Sequence, residues 1–276
     1  MAPISSSLEN LSNSLSTPKQ LASLKSSEEE DAQSLRFAQC QLTSAAGILL
    51  RLAQEVIAHA IVLLQRFIVA SRAEDREGFG PRAYSAAAIY LAAKISTTPV
   101  SARSVVNVYA YLTSKASPLK FVNPTETLSE ILPTEYYVTE GTYERERQRL
   151  SVCESMILVG IGFDTRVALP HGLALAYMQA LGVSSTNLAR RVFEHLNAGL
   201  LSPQLLYLTH QPNALAVGAI YLAARETGVK LVNKNWWEVF DVDREDLGFL
   251  VLAYGSTANF AEAEMEKWKQ GPLALG

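Results

Sequence analysis

Two charged residues stand where the surrounding pattern asks for apolar ones. Lys94 closes "PRAYSAAAIYLAAK" (81–94), a segment built almost wholly of small and apolar residues, and Glu154 interrupts the apolar half of "SVCESMILVGIGF" (151–163). Two readings are open for such a pair. The side chains can snorkel separately to the rim of the fold, or they can meet at one edge and present a lysine–carboxylate pair to a partner; spacing alone favours the first. Residue types that carry catalysis or bind metals show no comparable pattern. His59, His171, His195 and His210 form neither HxxxH nor HExxH, so ordinary surface or packed histidines are expected. Cys40 and Cys153 lie far apart and outside any CxxC spacing, which argues against zinc sites and disulfide frameworks and suits a reducing compartment. "GIGF" (160–163) offers two glycines of a dinucleotide loop, but Thr165 stands where the third belongs, and a helix C-cap is the simpler reading. There is no GxSxG and no GK[ST]. The chain is therefore expected to have no catalytic residues, no metal site and no cofactor.

The elements that must position Lys94 and Glu154 emerge from an internal repeat. "PRAYSAAAIYLAAK" (81–94) lies over "PNALAVGAIYLAAR" (212–225) with eight of fourteen positions identical, prolines included. Repeats of this kind are read as duplication of one structural unit, and Arg225 becomes the twin of Lys94. Around the first copy, apolar residues at three- and four-residue spacings predict amphipathic helices over 34–52 and 54–72. Further helices are predicted over 81–96, over "ARSVVNVYAYL" with Ser101 as cap, and over 141–163. The second half repeats the pattern near 170–182, 185–201, 212–228, 235–240 and 243–254, with Asp243 capping the last. No stretch alternates with period two, so no strand is needed. The fold predicted is all-α, two tandem five-helix bundles. The third helix of each half is nearly all small residues and should be central.

The domains expected are a disordered serine-rich tail (1–33, including the acidic run Glu28–Asp31), a first repeat (34–163), a second repeat (168–255), and a C-terminal helix and tail (256–276). Residues 114–139, with three prolines, read as a long irregular insertion. With 49% hydrophobic and 18% charged residues, the 276-residue chain can bury a substantial core. A net charge of −3 gives no field toward nucleic acid, so no direct nucleic-acid partner is expected. The longest apolar run, Ala214 to Ala224, is about half of a bilayer span, and the opening "MAPISSSLEN" is polar. The expectation is an intracellular protein with no membrane partner.

Two successive five-helix repeats, a third helix ending "LAAK" and a fifth carrying "CESMIL…GF" resemble the cyclin family over most of 35–255. Within it, "AAGILLRLAQ" and "RFIVA" resemble the transcription-associated group, especially cyclin L. "NWWEVFDVDREDL" and "LPHGLALAYMQAL" are similar to cyclin Q, with cyclin L a near second. The resemblance implies a non-catalytic regulatory subunit that activates a cyclin-dependent serine/threonine kinase, in the nucleus, in RNA polymerase II transcription or mRNA processing. It assigns kinase binding to Lys94 and Glu154, the two residues that stood against the pattern. Some family features are missing. "AAGIL" (45–49) lacks the arginine of MRAIL, "KIST" (94–97) replaces KxEE, and Gln65 stands where many cyclins place an aspartate before "RF". Two alternatives remain: a helical scaffold of the same fold without a kinase, and a general transcription factor of the factor IIB type. The latter wants a zinc ribbon and a basic DNA face, against both the two lone cysteines and the negative charge.

Overall fold

A computed structural model describes residues 11–24, 29–71, 78–124, 134, 136–231, 235–271 and 273. The first ten residues of the serine-rich tail, its residues 25–28, and 125–133 and 135 of the expected insertion lie outside the described residues. Among the described residues the chain is all-α. It forms two compact units, residues 17–165 with 261–276, and residues up to Ser16 with 166–260.

The first unit holds α1 (Pro18–Leu24), α2 (Glu29–Leu49), α3 (Gln54–Ala70), α4 (Pro81–Ile95), α5 (Ala102–Leu112) and α6 (Glu140–Gly160). Local chemistry marks their boundaries. Pro81 opens α4, where its missing N–H has no partner to lose. Ser101 and Thr139 cap α5 and α6 by accepting from the N–H of Ser104 and Thr142. α6 ends in "GIGF" as a C-cap: Gly162 and Phe163 adopt left-handed φ of 61° and 60°, and the Phe163 N–H returns to the Leu158 carbonyl at 2.8 Å. α4 packs against α2, α3 and α6, with Ala86, Ala87, Ala88, Ala92 and Ala93 all buried. Small side chains let three neighbours approach one helix. Yet α3 is at least as buried, with twelve of its seventeen residues inside, so α4 shares the centre of this unit with α3.

The second unit holds α7 (Pro170–Ala180), α8 (Thr186–Gly199), the single turn α9 (Leu206–Thr209), α10 (Pro212–Thr227), a 3₁₀ turn (Trp236–Phe240) and the start of α11 (Arg244–Trp268). α10 buries Ala214 through Ile220 and also begins at a proline. Gly218, the twin of Ala87, sits under α11, where an added Cβ would lie 3.0 Å from Leu250 and 3.3 Å from Tyr254.

Two expectations need correction. The helix predicted over 243–254 and the C-terminal helix expected within 256–276 are one helix of 25 residues. Asp243 does cap it, accepting from the Asp246 N–H at 2.7 Å, but Gly255 and Ser256 do not break it. Without a proline nothing removes the ladder bonds there. Its last residues pack in the first unit. Trp268 is buried, stacks on Phe37 with ring centroids 5.6 Å apart, meets Phe121 edge to face at 5.0 Å, and donates Nε1–H to Ser34 at 3.2 Å. The C-terminal segment is thus part of a core.

The serine-rich segment, expected to lack structure, is ordered over its described residues. Asn13 is buried in the second unit. Its amide donates to the Ala168 carbonyl and accepts from the Ala168 N–H, both at 2.8 Å. Its backbone exchanges two further bonds with the Gln211 side chain at 2.9 and 3.0 Å. Thr17 then opens α1 in a capping box with Gln20. Composition suggested too little apolar surface to order this segment, and hydrogen bonds supply what apolar burial does not.

Candidate functional site

The charged edge of the first unit is built from the ends of α4 and α6. α4 stops just past Lys94 because Ser96 turns extended, and both its N–H and its hydroxyl bond to the Ala93 carbonyl. The ammonium thus sits in the last turn of a helix, where the macrodipole favours a positive charge. On α6, Leu150, Cys153 and Ile157 form the buried stripe at helical spacing. Glu154 lies at the margin of that stripe, its side chain only 12% exposed.

The two charges meet. Lys94 Nζ donates to Glu154 Oε1 at 2.7 Å across sixty residues of sequence. The lysine side chain stays 46% exposed and its ammonium also lies 5.0 Å from the centroid of Tyr90. The hydrogen bond to Glu154 holds the Lys94 pKa above the ordinary lysine value, against a smaller opposing effect of burial. The two side chains thus meet at one edge rather than snorkelling separately to the rim. The result is a carboxylate sunk into the helix surface under a half-exposed ammonium, beside Ile95, which is 47% exposed. Such an edge offers a partner one cation, one carboxylate oxygen and apolar surface. Burial pushes the neighbouring Cys153 thiol up to about 11, and likewise Cys40.

Tyr90 was missed in the sequence. It stands four residues before Lys94, a spacing that puts two side chains on one helix face, but spacing does not tell which aromatic rings point outward. The twin position behaves differently. Arg225 is exposed and forms no ion pair among the described residues. Its neighbour Glu226 pairs instead with Arg191 and, at 2.9 Å, with His195.

The remaining expected positions have structural partners. Gln65 is buried and donates to Cys40 Sγ at 3.7 Å. His59 Nε2–H donates to the Thr165 carbonyl at 2.6 Å, His171 bonds Asn197 at 3.0 Å, and His210 stacks on Phe249. Among the described residues no group of three or more His, Cys, Asp or Glu is placed to hold a metal ion, and no helix is long and apolar enough to cross a membrane.

No model of a known protein family matches the chain. An uncharacterised cyclin-L1-like protein of Schizosaccharomyces pombe is 29% identical over 245 residues, covering 88% of each chain. Human cyclin-L2 is 29% identical over 241 residues, which is 86% of this chain but 42% of that one. Mouse cyclin-L2 is matched over 38% of its length, so the chain spans less than half of these mammalian relatives. Among solved structures, a chain of the yeast RNA Pol II CTD kinase CTDK-1 complex superposes with a TM-score of 0.68 at 14% identity, over 92% of this chain and 76% of that one. A chain of the CAK complex from Chaetomium thermophilum bound to ATP-gamma-S gives 0.62 at 14% identity, over 97% and 84%. The chain is therefore similar in sequence to cyclin-L-like proteins, and it shares its all-α fold with chains of these two complexes.

Proposed function

We propose that the chain is the regulatory, non-catalytic subunit of a cyclin-dependent serine/threonine kinase, and that it binds the kinase through Lys94 and Glu154. The observation that carries the assignment is the joined pair itself. Its ammonium is held in place by the sunken carboxylate yet stays half open to solvent, which suits recognition of a partner's backbone and helix without a large ordering cost. The relatives' names support a cyclin, and a structural neighbour is a kinase complex named for the RNA polymerase II C-terminal domain. These support a role in transcription or mRNA processing and a nuclear location.

The mechanism follows from how kinases work. ATP phosphates are aligned only when the strand lysine of the kinase pairs with a glutamate on its mobile helix. A subunit that binds only the helix-in state shifts that equilibrium, and a swing from mostly off to mostly on takes about 5.5 kcal/mol of differential affinity. This chain would supply contacts and no chemistry. The test is to purify the tagged chain from nuclear extract and ask whether a cyclin-dependent kinase accompanies it and phosphorylates a heptad-repeat peptide. Recovery of active kinase supports the reading. Recovery of intact protein without any kinase would replace it with a scaffold of the same fold.

A further inference from the structure

The first unit carries a second surface feature that kinase binding at Lys94 and Glu154 does not use. Near the start of α4, a shallow open groove runs between α4, α5 and α6. Ala83 and Ala86 on α4 are too small to fill the space facing Val106 of α5 and Leu150 of α6, and these four make an apolar floor. Arg82 and Arg149 stand at the rim with Glu146 between them. Ala83 and Lys94 are eleven residues apart on one helix, so the groove lies about 16 Å along it from the charged edge.

The rim is short of negative charge. Glu146 serves both guanidinium groups, each at 3.4 Å, which is long for a charge-assisted bond. Neighbouring arginines are better matched: Arg147 holds Glu144 at 2.7 and 2.9 Å, and Arg103 holds Glu140 at 2.7 Å. One turn before Arg149 on the same helix, Arg145 bonds among the described residues to the Thr142 hydroxyl alone, at 3.4 Å. An apolar floor under loosely held guanidinium groups is complementary to an apolar side chain flanked by carboxylates.

We infer that this groove docks a short acidic peptide segment of a protein partner, with an apolar side chain on the alanine floor and its carboxylates on Arg82 and Arg149. The inference goes beyond the kinase reading and stands on a different surface.

The test uses the full chain and a fluorescein-labelled peptide, Gly-Asp-Glu-Leu-Phe-Asp-Glu-Gly, in fluorescence anisotropy at low salt. Saturable binding is expected with Kd on the order of 10–100 μM. Arg149→Glu reverses a half-exposed rim charge, and Ala83→Leu fills the floor; each should weaken binding about tenfold or more. Arg147→Glu and Lys94→Glu, both outside the groove, should change it by less than about twofold. Melting curves show whether Ala83→Leu still folds, and Arg149→Glu decides the matter if it does not. The proposal is overturned if no binding saturates below about 1 mM. It is equally overturned if the Asn/Gln version of the peptide binds as well, if inorganic phosphate displaces the peptide at equal concentration, or if Arg149→Glu has no effect. Loss of binding in Lys94→Glu alone would place the peptide on the kinase edge instead.

Discussion

Lys94 and Glu154 have a role within the chain and a proposed role toward a kinase, and single substitutions mix the two. Within the chain, Lys94 covers a carboxylate that is 12% exposed. Lys94→Met leaves that carboxylate without its partner, and a loss of about 1 kcal/mol is expected in urea unfolding, modest because the lysine half of the pair is exposed and screened by solvent. Glu154→Gln keeps the shape and a hydrogen-bond acceptor and should cost less. Toward a kinase the expected effects are larger, because unpairing a charge in a desolvated interface costs on the order of 2–5 kcal/mol. The twin position supplies a control. Arg225 forms no described ion pair, so Arg225→Glu should weaken kinase recovery far less than Lys94→Glu in the same pull-down. Equal losses would remove the first repeat from its assigned place. Both candidate residues were visible in the sequence, because each is a charge inside an apolar pattern. Their meeting was not. It depends on how α4 packs on α6, and no spacing rule connects residues sixty positions apart.

Helices and their caps were the most legible level. Proline starts, serine and threonine caps and apolar spacing are local signals, and α4, α5, α6 and α10 lie close to the predicted bounds. What failed were segments ordered by distant partners. Asn13 reaches Ala168 and Gln211, and Trp268 reaches Ser34 and Phe37; neither pairing leaves a trace in local composition. The tail is accordingly expected to matter for stability. Asn13→Ala strands the Ala168 N–H and carbonyl while leaving the backbone bonds to Gln211 in place, and a loss of about 1–3 kcal/mol should appear in the urea midpoint. An unchanged midpoint would mean the segment rests on the surface without stabilising it. The segment after α6 gives a pH prediction. Burial lowers the His59 pKa, against smaller raising effects that include its bond to Thr165. A histidine whose folded pKa lies below its unfolded value contributes stability that is present above the unfolded pKa, about 6.5, and lost as pH falls below it. Stability should therefore drop between pH 7 and pH 5, and drop less in His59→Asn. An equal drop in the variant would assign the acid sensitivity elsewhere, for example to His210, whose pKa burial also lowers.

At the level of the whole chain, the repeated "AIYLAA" was the strongest single signal, because a helix surrounded by others accepts only small and apolar residues at most positions. The repeat gave two bundles of helices. It could not say that the two halves had diverged at the end of that helix, where one keeps Lys94 on Glu154 and the other turns to Glu226, Arg191 and His195. That divergence is what limits the proposed kinase contact to the first repeat. The most direct test is the charge swap Lys94→Glu with Glu154→Lys. It retains an ion pair inside the chain, so folding should be nearly unchanged, while a bound kinase would meet both charges reversed. Measured on the full chain, the swap should keep the wild-type melting temperature and lose roughly 30-fold or more in kinase affinity, with activation lost alongside. If the swapped protein binds and activates its kinase as well as the wild type, the pair serves the fold alone and the central claim is wrong.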